Sequence, residues 1–242
     1  MNFEPKYDII SLPSKGLFYE NKCSEVKVYH LTLADEEIMT SPNLLNSGDM
    51  IDKLLERKVT FKDESTPFIH PQKMLIGDRL AILIYLRVTM DPIYRIDVDG
   101  EPYDFDLTTL LVKEPKIKPN TKGEFEFVLP KSNHKVTFRL MNGEDEKEVR
   151  REQMRLGNQS IISSKSIRLE KLITSVDGET DRIMIATFVK QMNIVDANKL
   201  LFYMGEVMPA MDLNISVVSP KTGKMKDQYL EMTSEFFFPS IE

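Results

Sequence analysis

The stretch from 31 to 88 contains three helical segments in succession, and it constrains the fold more than any other part of the chain. In its middle, apolar residues recur at the three- and four-residue spacing of an amphipathic helix. Its last segment, 75–88, is apolar on almost every side, so we expect the buried helix of its domain there. This pattern alone predicts a helical core and says nothing about function.

Each segment of this helical block has its own start signal. Thr32 with Asp35 three residues later has the arrangement of a capping box, with aspartate in place of the usual glutamate. Ser41 precedes a proline that suits the first helical position. Ser47 is expected to cap the third helix, where Asp49 would favour the positive end of the helix dipole.

Strands and tight turns are predicted on both sides of the helical block. Alternating apolar and polar residues around 26–30 indicate a half-buried strand. The dipeptide Asp99-Gly100 stands between two alternating segments and is a strong signal for a hairpin turn. Two further hairpins are expected over 124–140 and 212–232, because each contains a turn sequence between alternating segments.

A polar stretch at 143–158 divides the chain into two parts. Acidic residues lead and basic ones follow, which favours a helix, and its few apolar residues predict a surface or bridging position. The parts on either side are 1–142 and 159–242, and the second contains a helix whose expected cap is Asp196. Together these patterns predict an α+β fold of helical core segments and short antiparallel β-hairpins, in two similarly organised halves.

Composition excludes several classes of protein. The 242 residues carry a net charge of −6 with interspersed signs, so nothing predicts a nucleic-acid-binding domain. The single cysteine, Cys23, rules out an internal disulfide framework and fits a reducing compartment. The purely apolar run near 80–86 is far too short to cross a bilayer, and no signal peptide is apparent, so we expect a soluble, cytoplasmic type of protein without membrane insertion.

The motifs of catalytic, cofactor and metal sites are missing from the sequence. Its three histidines and one cysteine lack the spacing of zinc ligands. The segment 97–100 resembles part of a calcium loop, but Arg95 stands where that loop needs a carboxylate, so a hairpin turn is the better interpretation. Neither a nucleophile elbow nor a phosphate-binding glycine loop occurs. We therefore predict no catalytic residue, no cofactor and no metal.

Two apolar stretches are candidates for docking another protein, because they are too apolar to lie in water uncovered. The candidate residues are Leu12, Pro13, Gly16 and Phe18 in an N-terminal turn, and Phe236, Phe237 and Phe238 near the C-terminus. For the phenylalanines, a core position is the favoured alternative. Among the 14 methionines, Met39, Met50 and Met141 are candidates for an adaptable binding surface, although methionine in a core is commoner.

An ordered set of sequence motifs runs through most of the chain. The set comprises LPSKGLFY at 12–19, LTLADEEIMTSPNLLNSGDMIDKLLE at 31–56, LIGDRLAILIYLRV at 75–88, FEFVLPKSNHKVTFRLMNGEDE at 125–146, LITSVDGETDR at 172–182 and EFFFP at 235–239. In this order, the motifs resemble the baseplate hub and hub-assembly proteins of T4-like bacteriophages. The resemblance implies a role in building the central hub of the baseplate of a contractile tail, with other tail proteins, either hub or tape-measure components, as partners.

Two versions of that role are open. In the favoured one, the chain is a chaperone-like assembly factor that holds its partners in a competent state in the host cytoplasm and then leaves. In the alternative, it is a stoichiometric structural subunit of the hub and stays in the virion baseplate. A small enzyme or ligand-binding domain is the remote third possibility, because no residues indicate a site.

This chain departs from the family pattern in its hairpin turns. Many relatives with this pattern carry C-x-x-C pairs in two hairpin turns, as a zinc ribbon does. Here, Ser219 and Thr222 occupy the cysteine positions of one turn, and the other, 97–100, is shortened and has no cysteine. Because the thiolate ligands are absent, zinc binding is not carried over to this chain.

Overall fold

The computed structural model describes residues 5–113, 117–156, 164–231 and 234–237. The helices are α1 (Leu33–Thr40), α2 (Pro42–Ser47), α3 (Met50–Lys58), α4 (Ile76–Met90), α5 (Gly143–Leu156), α6 (Ser164–Leu172), α7 (Arg182–Gln191) and α8 (Ile194–Val207). The strands are β1 (Tyr7–Ser11), β2 (Glu25–Tyr29), β3 (Val59–Thr60), β4 (Ile93–Val98), β5 (Glu101–Asp106), β6 (Val112–Lys113), β7 (Glu124–Val128), β8 (Lys135–Arg139), β9 (Ile173–Val176), β10 (Ala210–Met211), β11 (Asn214–Val218) and β12 (Met225–Tyr229). The α+β prediction is confirmed.

The helical block forms α1 to α4, and most of its predicted starts are confirmed. The Asp35 carboxylate accepts hydrogen bonds from the Thr32 N–H and hydroxyl, each at 2.7 Å, at the start of α1. Helix α2 begins at Pro42 with Ser41 before it. Helix α4 is the buried helix that its sequence predicted, since apolar side chains such as Ile82 are fully buried along it.

The prediction that Ser47 caps the third helix is wrong. It is the last residue of α2, and Gly48 then takes a left-handed conformation with φ of 71°, which ends that helix. Asp49 occupies the cap position before α3, and its Oδ1 lies 2.6 Å from Lys147 Nζ of α5. A contact between distant segments therefore accompanies this helix start, and local sequence gives no sign of it.

The sheets are small and antiparallel throughout the described residues. Sheet order is β1-β2-β3 and β7-β8-β9, with three two-stranded pairs formed by β4-β5, β11-β12 and β6-β10. All three predicted hairpins are present. In the first, Asp99 and Gly100 have φ of 60° and 84°, and this left-handed pair is what a two-residue hairpin turn requires.

The parts on either side of 143–158 share two of these sheets. Strand β8, from the first part, lies between β7 and β9, and β9 belongs to the second part. Strand β6, also from the first part, pairs with β10 of the second part across a much longer stretch of sequence. One continuous cluster of buried side chains extends from Leu12 to Phe237. The two parts are therefore packed around a common core.

Helix α5 joins the helical block to the rest of the fold. Lys147 reaches Asp49, and the Arg150 guanidinium donates to the carbonyl of Gly48. At the start of the helix, the Asp145 carboxylate accepts two hydrogen bonds from the Arg139 guanidinium of β8, of 2.5 and 2.8 Å. The polar sequence of α5 is thus used for contacts between elements, and Val149 is among the few side chains that it buries.

Asp196 does not cap α8 as predicted. The cap is Asn193, whose side chain accepts a hydrogen bond from the Val195 N–H at 2.8 Å. Asp196 is buried instead and accepts from the backbone N–H groups of Lys131 at 2.8 Å and Ser132 at 3.0 Å. Although burial opposes it, these bonds hold the pKa of the Asp196 carboxyl below its usual range. The residue therefore fastens the β7-β8 turn to α8.

A helix followed by a hairpin occurs twice, and the two hairpins touch. Helix α4 leads into β4-β5, and α8 leads through β10 into β11-β12. Asp99 Oδ1 lies 2.5 Å from Lys226 Nζ, and Gln228 donates to the carbonyl of Asp97 at 3.0 Å. Hydrogen bonds from Lys226 and Ser219 lower the pKa of the Asp99 carboxyl. Polar contacts thus join the two hairpins.

Within the described part of the chain, no helix is both long enough and apolar enough to cross a membrane.

Acid is expected to remove the stability that Asp35 supplies. Burial raises the pKa of its carboxyl, but hydrogen bonds from Lys58 and Thr32 outweigh burial and hold it below the ordinary 3.8. The contribution is therefore present above that value and is lost as pH falls through the lower folded-state pKa. In urea unfolding between about pH 5 and about pH 3, Asp35→Asn should lose less free energy of unfolding than the native chain.

The control for this measurement is Glu37→Gln, which changes an exposed acid of the same helix. Its dependence on pH should match that of the native chain. If Asp35→Asn and the native chain lose equal amounts of unfolding free energy on acidification, the depressed pKa of Asp35 is refuted.

Candidate functional site

A buried carboxylate at the start of α4 holds the N-terminal loop in place. Asp78 is fully buried, and its Oδ1 accepts a hydrogen bond from the Ser14 N–H at 2.9 Å. The Tyr19 hydroxyl donates to Asp78 Oδ2, and the Leu75 N–H donates to the same hydroxyl at 2.9 Å. This arrangement joins the motif at 12–19 to the motif at 75–88, and we call it the loop clamp.

Burial raises the pKa of both acids of the loop clamp. The Asp78 carboxyl lies away from water, which disfavours its charged form despite the hydrogen bonds from Ser14 and Tyr19. Burial and the nearby Asp78 charge raise the pKa of the Tyr19 phenol above its usual range. The phenol therefore keeps its proton and donates a hydrogen bond to Asp78, so the loop clamp is a structural hydrogen-bond network.

The next residue of α4, Arg79, forms a second buried contact on the side of the helical block. Its guanidinium donates to Asp52 of α3 at 2.6 Å and to the carbonyl of Pro71 at 2.9 Å. Lys147 of α5 lies 3.5 Å from the other Asp52 oxygen. Gly143 is required beside it, because a Cβ there would lie 2.5 Å from Arg79 Nη1. Three helices meet at this ion pair.

The predicted N-terminal docking turn is mostly covered in the structure. Leu12, Pro13 and Gly16 are buried, whereas Phe18 is half-buried with its ring centroid 5.9 Å from that of Phe125. Gly16 has φ of 72°, and a Cβ there would lie 2.5 Å from the carbonyl oxygen of Lys22. The three buried residues therefore serve to close the loop and offer no free surface to a partner.

The terminal phenylalanines occupy the core, in line with the favoured alternative for this segment. Phe236 is fully buried, with its ring centroid 5.3 Å from that of Tyr94 and 5.1 Å from that of Phe237. Phe237 is buried as well. Phe238, which was predicted with them, lies outside the described residues.

An apolar groove of about 490 Å³ lies between α4, α6, α8 and β10. Its apolar lining includes four methionines, Met141, Met204, Met208 and Met211. We call it the methionine groove. Gly77 of α4 allows the close packing on which it depends, since a Cβ there would lie 1.9 Å from the carbonyl oxygen of Pro209. Helix α4 can therefore lie directly against the segment that leads into β10.

Large apolar side chains are exposed around the methionine groove. Phe202 of α8 is 68% exposed and Tyr229 of β12 is 59% exposed, and both line it. Lys113 and Glu206 form an ion pair of 2.8 Å at the same site. Exposed aromatic residues beside an apolar depression are a usual feature of protein-binding surfaces.

The structure corrects part of the methionine prediction. Met39 is buried in the core, and Met50 is half-buried on α3. Met141 is half-buried and lines the methionine groove, so it alone of the three contributes there. The sequence alone did not indicate Met211, because its place in the groove depends on the pairing of β10 with β6.

The polar cluster around Asp8 and the buried Cys23 both have structural explanations. His30 lies 2.7 Å from Asp8, and Tyr85 donates to the same carboxylate. Hydrogen bonds from Tyr85 and His30 lower the pKa of the Asp8 carboxyl, and together they tie β1 to α4. Cys23 is buried, and burial raises the pKa of its thiol. Its environment opposes a reactive thiolate.

Within 5–113, 117–156, 164–231 and 234–237, no three or more His, Cys, Asp or Glu residues are grouped so that they could hold a metal ion. No family model, curated protein or solved structure matches the chain. The methionine groove is therefore the candidate site on its own geometry.

Tyr19→Phe is expected to destabilise the fold through the loop clamp. The substitution leaves Asp78 with one donor fewer and the Leu75 N–H without its acceptor. Each buried group that loses its partner costs about 1–3 kcal/mol. Urea unfolding measures this loss. Tyr229→Phe, on an exposed tyrosine, should change the unfolding free energy by less than about 0.5 kcal/mol, and equal losses in both variants would contradict the loop clamp.

Proposed function

We propose that this chain is a bacteriophage tail protein that assists assembly of the baseplate hub by non-covalent binding to another tail protein. The observation that carries the proposal is the methionine groove, with Phe202 and Tyr229 exposed beside it. The ordered motifs that resemble baseplate hub and hub-assembly proteins give the context. In this proposal, the partners are hub or tape-measure components.

The methionine groove suits an apolar segment of a partner protein. Methionine side chains are unbranched and polarizable, so they adapt to irregular apolar shapes. An amphipathic helix that lays its apolar face in a groove is a recurrent mode of recognition, and it needs no catalytic residue. The exposed Phe202 would be covered in such a complex, which would remove apolar surface from water.

The resemblance motifs also fit a binding role. The motifs at 12–19 and 75–88 meet at the loop clamp, where their polar residues are used to fix one element against another. They specify a scaffold that holds α4, and α4 forms part of the methionine groove. An assembly factor would act in the host cytoplasm and leave the tail once the hub is complete.

Substitution at the exposed edge of the groove tests the binding role. Phe202→Glu adds a charge where the partner's apolar segment would lie, and the side chain is exposed enough that folding should be retained. We expect at least a tenfold loss of complete tails in cells infected with phage that carries the variant, counted by electron microscopy. An unchanged thermal transition of the purified variant verifies folding.

The matched control is Ile183→Glu, on a residue of α7 that is 76% exposed and does not line the groove. Tail yield should be normal with this variant. Normal yield with Phe202→Glu, or equal loss with both variants, would reject the methionine groove as the binding site.

The protein composition of purified mature tails separates the two roles. An assembly factor is expected to be absent from them. A fixed copy number that matches the symmetry of the hub would instead establish the alternative, a stoichiometric structural subunit.

A further inference from the structure

A second depression, of about 640 Å³, lies beside the methionine groove and has a different chemistry. Four segments of chain form it: 18–21, 68–75, 122–123 and 139–142. Arg139 and Leu140 line both this depression and the methionine groove, so the two are adjacent. We call the second depression the cationic cleft.

Positive charge prevails in the lining of the cationic cleft. Lys73, Lys122 and Arg139 line it together with His70, against a single carboxylate, that of Glu20. Among the described residues, Lys73 and Lys122 form no ion pair, whereas Arg139 is paired with Asp145. The whole chain has a net charge of −6, so this local excess runs against the overall balance. A cleft of one charge sign attracts ligands of the opposite sign.

Apolar side chains complete the cationic cleft. Phe18, Phe68 and Ile69 line it beside the cations. The Asn21 side chain donates to the carbonyl of Phe68 at 2.6 Å and so ties the N-terminal loop to the 68–75 segment. Tyr19, which also lines the cleft, is held by the loop clamp. The cleft is therefore fixed in shape by contacts that are independent of any ligand.

We propose that the cationic cleft binds an acidic peptide segment of a partner protein, in which carboxylates alternate with apolar residues. Carboxylates would pair with Lys73 and Lys122, while the apolar residues would contact Phe18 and Phe68. The cations come from separate segments of chain, which suits several carboxylates along a peptide. The net charge of −6 opposes a long polyanion such as nucleic acid.

This inference rests on the proposed function, because it takes the ligand to be part of a protein partner. The adjacency of the two sites gives it a geometric basis. A partner whose apolar segment occupies the methionine groove can place a neighbouring acidic segment across Arg139 into the cationic cleft. The acidic segment would then supply orientation and charge selectivity, which an apolar groove lacks.

Fluorescence anisotropy of the full chain with synthetic peptides tests the cleft. The probe is a fluorescein-labelled decapeptide in which glutamate alternates with leucine, and the matched probe has glutamine in place of each glutamate. We expect saturable binding of the glutamate probe, weakened as salt rises from about 50 to 200 mM, and much weaker binding of the glutamine probe.

Charge reversal locates the binding. The double variant Lys73→Glu with Lys122→Glu should raise the Kd of the glutamate probe at least tenfold. The matched control, Lys190→Glu with Lys199→Glu, reverses two exposed lysines that lie outside the cleft and should leave the Kd unchanged. Thermal transitions of both variants verify that the fold is retained.

Three results would overturn the proposal: equal binding of the two probes, an unchanged Kd in the Lys73 and Lys122 variant, or displacement of the peptide by a single-stranded oligonucleotide that binds more tightly. Phe202→Glu separates this proposal from the proposed function, because it should impair tail assembly and leave binding of the glutamate probe intact. If the Phe202→Glu variant binds the glutamate probe and supports normal tail assembly, the cleft remains a peptide-binding site and the methionine groove is rejected as the site that assembly needs.

Discussion

The fold depends on two adjacent charged residues buried at the start of α4. Asp78 is hydrogen-bonded to the N-terminal loop, and Arg79 is paired with Asp52 of α3. Burying a charge is costly unless it has partners, and removing one partner of a buried pair typically costs about 3–5 kcal/mol. Asp78 therefore requires the N-terminal loop in its native position, and Arg79 requires Asp52 of α3. Together they fix the loop and the helical block relative to α4, which lines the methionine groove.

Local sequence was sufficient where a single segment determines the conformation. The Asp99-Gly100 turn and the Thr32 cap of α1 involve residues only a few positions apart, and both were predictable. The predictions for Ser47 and Asp196 are wrong, because local cap preference does not include contacts with distant segments. In the structure, Asp196 instead binds backbone N–H groups some 65 positions away, at Lys131 and Ser132.

The candidate sites were less predictable than the fold for the same reason. The cationic cleft draws Lys73 and Lys122 from segments far apart in sequence, and neither lysine belongs to a basic run. The methionine groove likewise needs β10 to pair with β6 before Met211 reaches it. What unites the two sites is their shared border at Arg139 and Leu140, which only the folded chain creates. The two sites are thus neighbours of different chemistry, one mainly apolar and one cationic.

The pairing of β6 with β10 has a consequence for how the chain folds as it is synthesised. Val112 meets Met211 in that pair, so the first part of the chain cannot complete its surface until the second part has left the ribosome. Contacts between distant segments form slowly, because loop closure must precede them. Until then, apolar side chains of α4 that later face β10 lie uncovered. The nascent chain is therefore most vulnerable to aggregation and proteolysis during the final part of its own translation.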